Sequence, residues 1–188
     1  MRFKYGLLTL FNFLAMTTFR MLALLSFLFF AGKNSMAQTF KTYKDAANHF
    51  EISIPSNWLV TQSDPRLKFI AIHPQTETNN AFPENINLNF IDAPHGNLDS
   101  AYAMSIESNN ALPGFLSITK KGTATNGRYK WYINSHKDLQ TNTVLQTIVF
   151  VYYNKEKAIL LTCTAPFGSF ERYKLVFFKI ADSLKLQS

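Results

Sequence analysis

The stretch NTVLQTIVFVYYNKEKAILLTCTA, residues 142–165, decides the fold. In its first half both alternate sets are apolar, Val149 with Val151 and Ile148 with Phe150. A strand with one wet face alternates apolar and polar, so this segment is expected to be covered on both faces and to form the central strand of a sheet. The second half, EKAILLTCTA at 156–165, is again extended, and Asn154-Lys155 between the two marks a hairpin. Apolar strands of this kind need a layer on each side, so the flanking sequence must supply covering elements.

Downstream, Pro166-Phe167-Gly168 turns the chain into SFERYKLVFFKIADSLKL, residues 169–186. There Phe170, Tyr173, Phe177, Ile180, Ala181 and Leu184 fall on one helical stripe, with Ser169 as the expected cap and Glu171 at the positive end. Upstream, FLSITKKGTAT (115–125) meets GRYKWYINSHKD (127–138) across Asn126-Gly127, a dipeptide that favours a tight hairpin. These segments form a four-strand antiparallel meander. Before it, LDSAYAMSIESNNA (98–111) reads as a helix capped by Asn97, with Asp99 in its first turn and Pro113-Gly114 as its stop. NINLNFID (85–92) alternates cleanly, Ile86, Leu88 and Phe90 against Asn85, Asn87 and Asn89. LKFIAIHP (67–74) and HFEISI (49–54, ended by Pro55) are further strands, separated from each other by the turn at Trp58, and QTETNNAFPEN (75–85) is a loop. The expectation is an α+β domain, with a final helix packed on an antiparallel sheet.

The N-terminal region has a different composition. Residues 21–31, MLALLSFLFFA, form an apolar core bracketed by Arg20 and Lys33. It is of signal-peptide length and falls short of the roughly 20 apolar residues a membrane-spanning helix needs. Ser35 and Ala37 are small residues at the positions a signal peptidase accepts, so cleavage is expected between Ala37 and Gln38. Residues 1–37 are thus read as a cleaved leader and 38–188 as one exported domain, periplasmic or extracellular. Translation is expected to start at Met16, because MRFKYGLLTLFNFLA adds a second apolar patch foreign to a simple leader.

Of 19 basic residues, Arg2, Lys4, Arg20 and Lys33 lie in the leader, which has no acid; the remainder holds fifteen basic and twelve acidic residues. The formal charge of +7 therefore falls to +3 in the domain, with no basic run longer than Lys120-Lys121. That is a mixed-charge surface and no nucleic-acid footprint. Hydrophobic residues at 47%, with 18 Phe and 8 Tyr, exclude a disordered chain.

Candidate chemistry is sparse. Cys163 is the single cysteine, so no internal disulfide forms, and it is expected to be a buried, inert thiol. A nucleophilic cysteine needs a histidine beside it; His49 and His73 sit at strand ends, His95 and His136 in loops, and no catalytic signature surrounds Cys163. Gly168-Ser169 lacks the second glycine of a nucleophile elbow. Asp64, Asp92 and Asp99 are read as turn and cap residues, and no histidine pair or CxxC offers a metal site. There is no phosphate-binding loop, and no cofactor is expected. Tyr129, Trp131 and Ile133 share one face of their strand with Tyr132 on the other, and Trp58 is expected to plug the core.

The order of FEISIPSNWLV, NINLNFID, LDSAYAMSIESN, LPGF, NGRYKWYI and KAILLTCTAPFGSFERYKLVFFKIADSLKL resembles the Mog1/PsbP-like family over residues 40–186. The resemblance implies an α/β/α sandwich around a central antiparallel sheet. It also implies a non-enzymatic accessory or adaptor domain that binds a protein or envelope partner. The alternative is a small-molecule or lipid carrier with a pocket between helices and sheet. No ligand-binding position of the family transfers to this sequence.

Overall fold

Strands β8 (Val144–Asn154) and β9 (Lys157–Pro166) pair antiparallel along their whole length, joined by the two residues Lys155 and Glu156. The computed structural model in which they are seen describes residues 38–61, 64–74 and 82–187. Met16 and the Ala37 side of the expected cleavage point lie outside the described residues; Gln38 is the first of them and is exposed. Lys155 and Glu156 both have positive φ, 47° and 59°, the backbone of a two-residue turn whose twist matches a hairpin. Strand β5 (Asn85–Asp92) pairs with the other edge of β9, β4 (Phe69–Ile72) with β5, and β3 (Leu59–Thr61) with β4. On the far side, β7 (Lys130–Lys137) pairs with β8 and β6 (Phe115–Thr123) with β7. The result is an antiparallel seven-stranded sheet in the order β3-β4-β5-β9-β8-β7-β6.

β8 is buried on both faces, as its apolar pattern requires, but the middle position belongs to β9. The correction follows from β5, which closes on β9 and moves the centre by one strand. The connection between β6 and β7 is also looser than a two-residue turn. Only Gly127 takes a positive φ, 69°, and the loop closes through Ala124 N–H donating to Tyr129 O and Gly127 N–H to Ala124 O.

Helix α1 (Leu98–Asn110) covers one face of the sheet, where Ala101 packs with Tyr132, Val149, Val151 and Ala158. Its capping box is complete: Asn97 Oδ1 accepts from Ser100 N–H and Ser100 Oγ accepts from Asn97 N–H, both at 2.9 Å. Helix α2 (Phe170–Ser183) covers the opposite face, with Phe170, Phe177, Ile180 and Ala181 fully buried. Beside it, β1 (Phe40–Asp45), β2 (Phe50–Pro55) and β10 (Lys185–Leu186) form a separate three-stranded sheet. Phe50, Ile52 and Ile54 of β2 join Ile86, Leu88, Ile148, Phe150, Leu161 and Cys163 of the large sheet in one core. The α+β expectation holds, and the layering is α/β/α. The separate small sheet, with β1 and β10, was not legible: β1 is polar at four of its six positions and β10 has two residues.

Ser169 does not cap α2. Its backbone is helical (φ −106°, ψ −13°), and its hydroxyl donates to Glu84 Oε1 at 2.8 Å instead of accepting from the first turn. The other end of α2 is well anchored. Tyr152 Oη donates to Ala181 O at 2.8 Å, Tyr129 Oη to Asp182 Oδ1 at 2.7 Å, and Arg128 to the carbonyls of Asp182 and Leu184. The Tyr152 and Arg128 donors satisfy carbonyls at the helix C-terminus, and Tyr129 ties the Asp182 carboxylate. No helix among the described residues is long and apolar enough to cross a membrane.

Candidate functional site

The sequence of α1 gives it small residues where it faces the sheet. Ala101 and Ser105 are its buried side chains, too short to fill the space beneath a helix. Polar contacts fix it instead, one per turn. Asp99 pairs with Lys130, Tyr102 Oη donates to Trp131 O at 3.2 Å, the Ser105 and Tyr132 hydroxyls bond at 2.9 Å, and Asn109 Oδ1 accepts from Asn134 Nδ2 at 3.1 Å. Positions 99, 102, 105 and 109 lie on one helix face, and all of their partners lie on β7. The helix is thereby tied along the β7 side, and the sheet surface next to it is left partly uncovered.

A cavity of about 510 Å³ opens there, between α1 and strands β5, β7, β8 and β9. This is the size range of small-molecule sites. Thr147, Val149, Leu160, Thr162 and Thr164 form its floor, Tyr132, Asn134 and His136 one wall, and Leu112 and Phe115 one end. Thr147 and Thr164 bond to each other across β8 and β9 at 3.0 Å, and Asn134 is 1% exposed. Burial pushes the Tyr132 phenol up, partly opposed by its bond with Ser105. Burial also pushes His136 below its ordinary value, partly opposed by Asp138, so both rings are neutral at neutral pH. Asn109 Nδ2, also on the lining, is buried with no hydrogen-bond partner.

A second groove, of about 470 Å³, lies between the small sheet and the large one. Its charged groups are the exposed Lys68, Lys155 and Lys157 with Asp92, which pairs with Lys157 at 2.8 Å. It has the character of a solvated seam, without a buried polar group turned towards it.

Most of the residues singled out from sequence lie elsewhere. Cys163 is fully buried between Ile86 and Ile148, and burial alone pushes its thiol well above the ordinary range. His49 and His95 sit in turns with positive φ, 56° and 61°. His136 lies in β7, not in a loop, and it reaches the cavity. Buried Glu84 joins Ser169 Oγ at 2.8 Å and His73 Nδ1 at 3.4 Å, a clasp between β4, β5 and α2. In that clasp the carboxylate stands between serine and histidine, so the histidine is not placed to deprotonate the serine. Asp64, Asp92 and Asp99 pair with Arg66, Lys157 and Lys130, and Arg66 holds the Asp64 carboxyl at about 2. Among the described residues no three His, Cys, Asp or Glu side chains converge as metal ligands would. Trp58 is fully buried, as its reading as a plug requires, and Trp131 stands edge-on to Phe178 with centroids 5.3 Å apart.

Apart from His136 and Tyr132, the cavity residues were not singled out from sequence. The available signal was in LLTCTA: Leu161, Cys163 and Ala165 enter the core, while Thr162 and Thr164 on the alternate set face the cavity. Two threonines on the inner face of a middle strand mark a surface that its helix does not seal. Asn109, Asn134 and His136 gave no comparable pattern.

An α/β/α sandwich with an antiparallel central sheet and a cleft under one helix is the class of protein these features define. Two solved structures make the likeness specific. PsbP of the cyanobacterium Synechocystis sp. PCC 6803 (CyanoP) aligns over 82% of this chain and 96% of its own, at TM-score 0.50 and 15% identity. LpqN, involved in cell envelope biogenesis of Mycobacterium tuberculosis, aligns over 81% and 92%, at TM-score 0.54 and 12% identity. The chain has a PsbP-like fold, as its sequence resemblance implies. No family model and no curated protein matches it by sequence.

Proposed function

We propose that the protein is an exported, non-catalytic binding domain that holds a small, mostly apolar ligand in the cavity beneath α1. The cavity of about 510 Å³ carries this reading. Its floor mixes Val149 and Leu160 with threonines, a lining suited to a chain or ring compound with one polar end. Of the two readings open from sequence, this favours the carrier over the adaptor. A non-catalytic role is supported by the sealed Cys163 thiol and by a Ser169 hydroxyl committed to Glu84. The envelope setting is supported by the leader pattern ending at Ala37 and by a shared fold with an envelope-biogenesis protein.

A specific observation keeps a partner in view. Exposed Leu112, Leu116, Leu139, Val144 and Phe167 all lie at the end of the sheet where β6 and β8 start and β7 and β9 finish. Leu112 is also on the cavity lining, so a protein or envelope partner seated there would meet the ligand's way in.

Titration with the neutral fluorophore N-phenyl-1-naphthylamine tests the ligand reading. Saturable one-site binding is expected, abolished in a folded Thr162→Phe variant whose ring occupies the cavity. Absence of binding to the wild-type domain, or full binding to the filled variant, defeats it. The mass of the protein recovered from its native host tests the leader: a chain beginning at Gln38 is expected, and retention of residues 16–37 overturns the export reading.

A further inference from the structure

We propose that the cavity selects an uncharged amphiphile whose polar end is a hydrogen-bond acceptor, such as a carboxamide, read by the side-chain amide of Asn109. The inference rests on the cavity being a ligand site and specifies what that ligand is.

Two independent observations carry it. The first is electrostatic. Seventeen residues line the cavity and none is Lys, Arg, Asp or Glu; its one ionisable base, His136, is held neutral by burial. An ionised carboxylate, phosphate or ammonium entering it would lose its hydration and meet no counter-charge, a cost that a neutral head group avoids. The second is the hydrogen-bond inventory. Ser105 and Tyr132 satisfy one another through two bonds, and Thr147 and Thr164 share one. Asn134 Nδ2, on a side chain 1% exposed, donates to Asn109 Oδ1, which leaves the Asn109 amide nitrogen turned away from that bond. Asn109 Nδ2 is then the buried side-chain atom on this lining with no partner. It is a donor only, so it calls for an acceptor. Buried donors are rarely left unmet, and a ligand carbonyl or ether oxygen placed there completes the set.

Asn109 is on the last turn of α1 and Leu112 lies three residues beyond it, at the cavity's end. A ligand whose acceptor bonds Asn109 would lay its chain over Val149 and Leu160 towards Ile91.

The test is displacement of N-phenyl-1-naphthylamine from the wild-type domain at pH 8 by three compounds of equal chain length: decanamide, decanoate and decylammonium. Decanamide is expected to compete at concentrations at least about tenfold below either ion. Asn109→Leu is expected to raise the concentration of decanamide needed by about fivefold to tenfold while the probe still binds. Asn109→Asp keeps an acceptor for Asn134 but replaces the donor with a negative charge, and is expected to turn the preference towards decylammonium. Decanoate competing as well as decanamide overturns the proposal, as does an unchanged order of the three compounds in both variants. Failure of the probe to bind the wild-type domain defeats the cavity reading itself, and this proposal with it; binding without discrimination defeats this proposal alone.

Discussion

Cys163 and the threonines on either side of it divide the two faces of β9. The thiol packs into the core, fully buried, and Thr162 and Thr164 turn to the cavity. Replacing Cys163 by Ser keeps the size but buries a hydroxyl among apolar neighbours, so about 1–3 kcal/mol of stability should be lost. Urea denaturation measures that loss, and probe binding by the folded variant should be unchanged; loss of binding would move the cysteine into the site. His136 supplies a pH dependence with a definite sign. Its folded pKa lies below the ordinary 6.5, so the unfolded chain takes the proton first. The associated stability is complete above that value and is lost as pH falls through the depressed folded one. Urea midpoints measured from pH 7.5 to 5 should therefore fall more steeply for the wild type than for His136→Gln. Parallel curves would show that the ring is not the group responsible.

The two helices differ in what holds them. α2 buries Phe170, Phe177, Ile180 and Ala181, and truncation of Phe177 to Ala should cost about 3–5 kcal/mol. Leu175, 75% exposed on the same helix, should change stability by less than about 0.5 kcal/mol when replaced by Ala. Thermal or urea unfolding of the pair checks both figures. The β8–β9 turn offers a change in the other direction. Lys155 and Glu156 hold the positive φ that Asn-Gly prefers, and the double replacement Lys155→Asn with Glu156→Gly should stabilise the hairpin by about 1 kcal/mol or more. Legibility followed the same division. α2, β5 and β8 were readable because apolar periodicity sets what they bury. The cavity was not, because the ladder that positions α1 is made of Asp99, Tyr102, Ser105 and Asn109, residue types equally at home on a solvated face. Their partners on β7 are 25 to 31 residues away, so pairing becomes visible only after the meander folds.

At the scale of the molecule the large sheet separates two unlike layers. On one face α2 and the small sheet bury a continuous aromatic core, from Phe50 and Trp58 to Phe150 and Phe177. On the other, α1 rests on a small cluster around Ala101 and leaves a cavity beside it. Local stability should follow, since a helix with few buried apolar contacts opens at lower free energy than the core it covers. Native-state hydrogen exchange is expected to show amides of 98–110 exchanging well before those of 170–183. Equal protection would mean that the polar ladder anchors α1 as firmly as apolar packing anchors α2. Both tryptophans belong to the aromatic layer, Trp58 against Phe177 and Trp131 against Phe178, while the aromatic side chains of the cluster between α1 and the sheet are tyrosines, Tyr102, Tyr132 and Tyr153. Intrinsic emission excited at the red edge of the spectrum therefore reports one layer of the domain and is silent on the other. Loosening of α1 would pass unseen by that signal and register in the near-ultraviolet dichroism of the tyrosines.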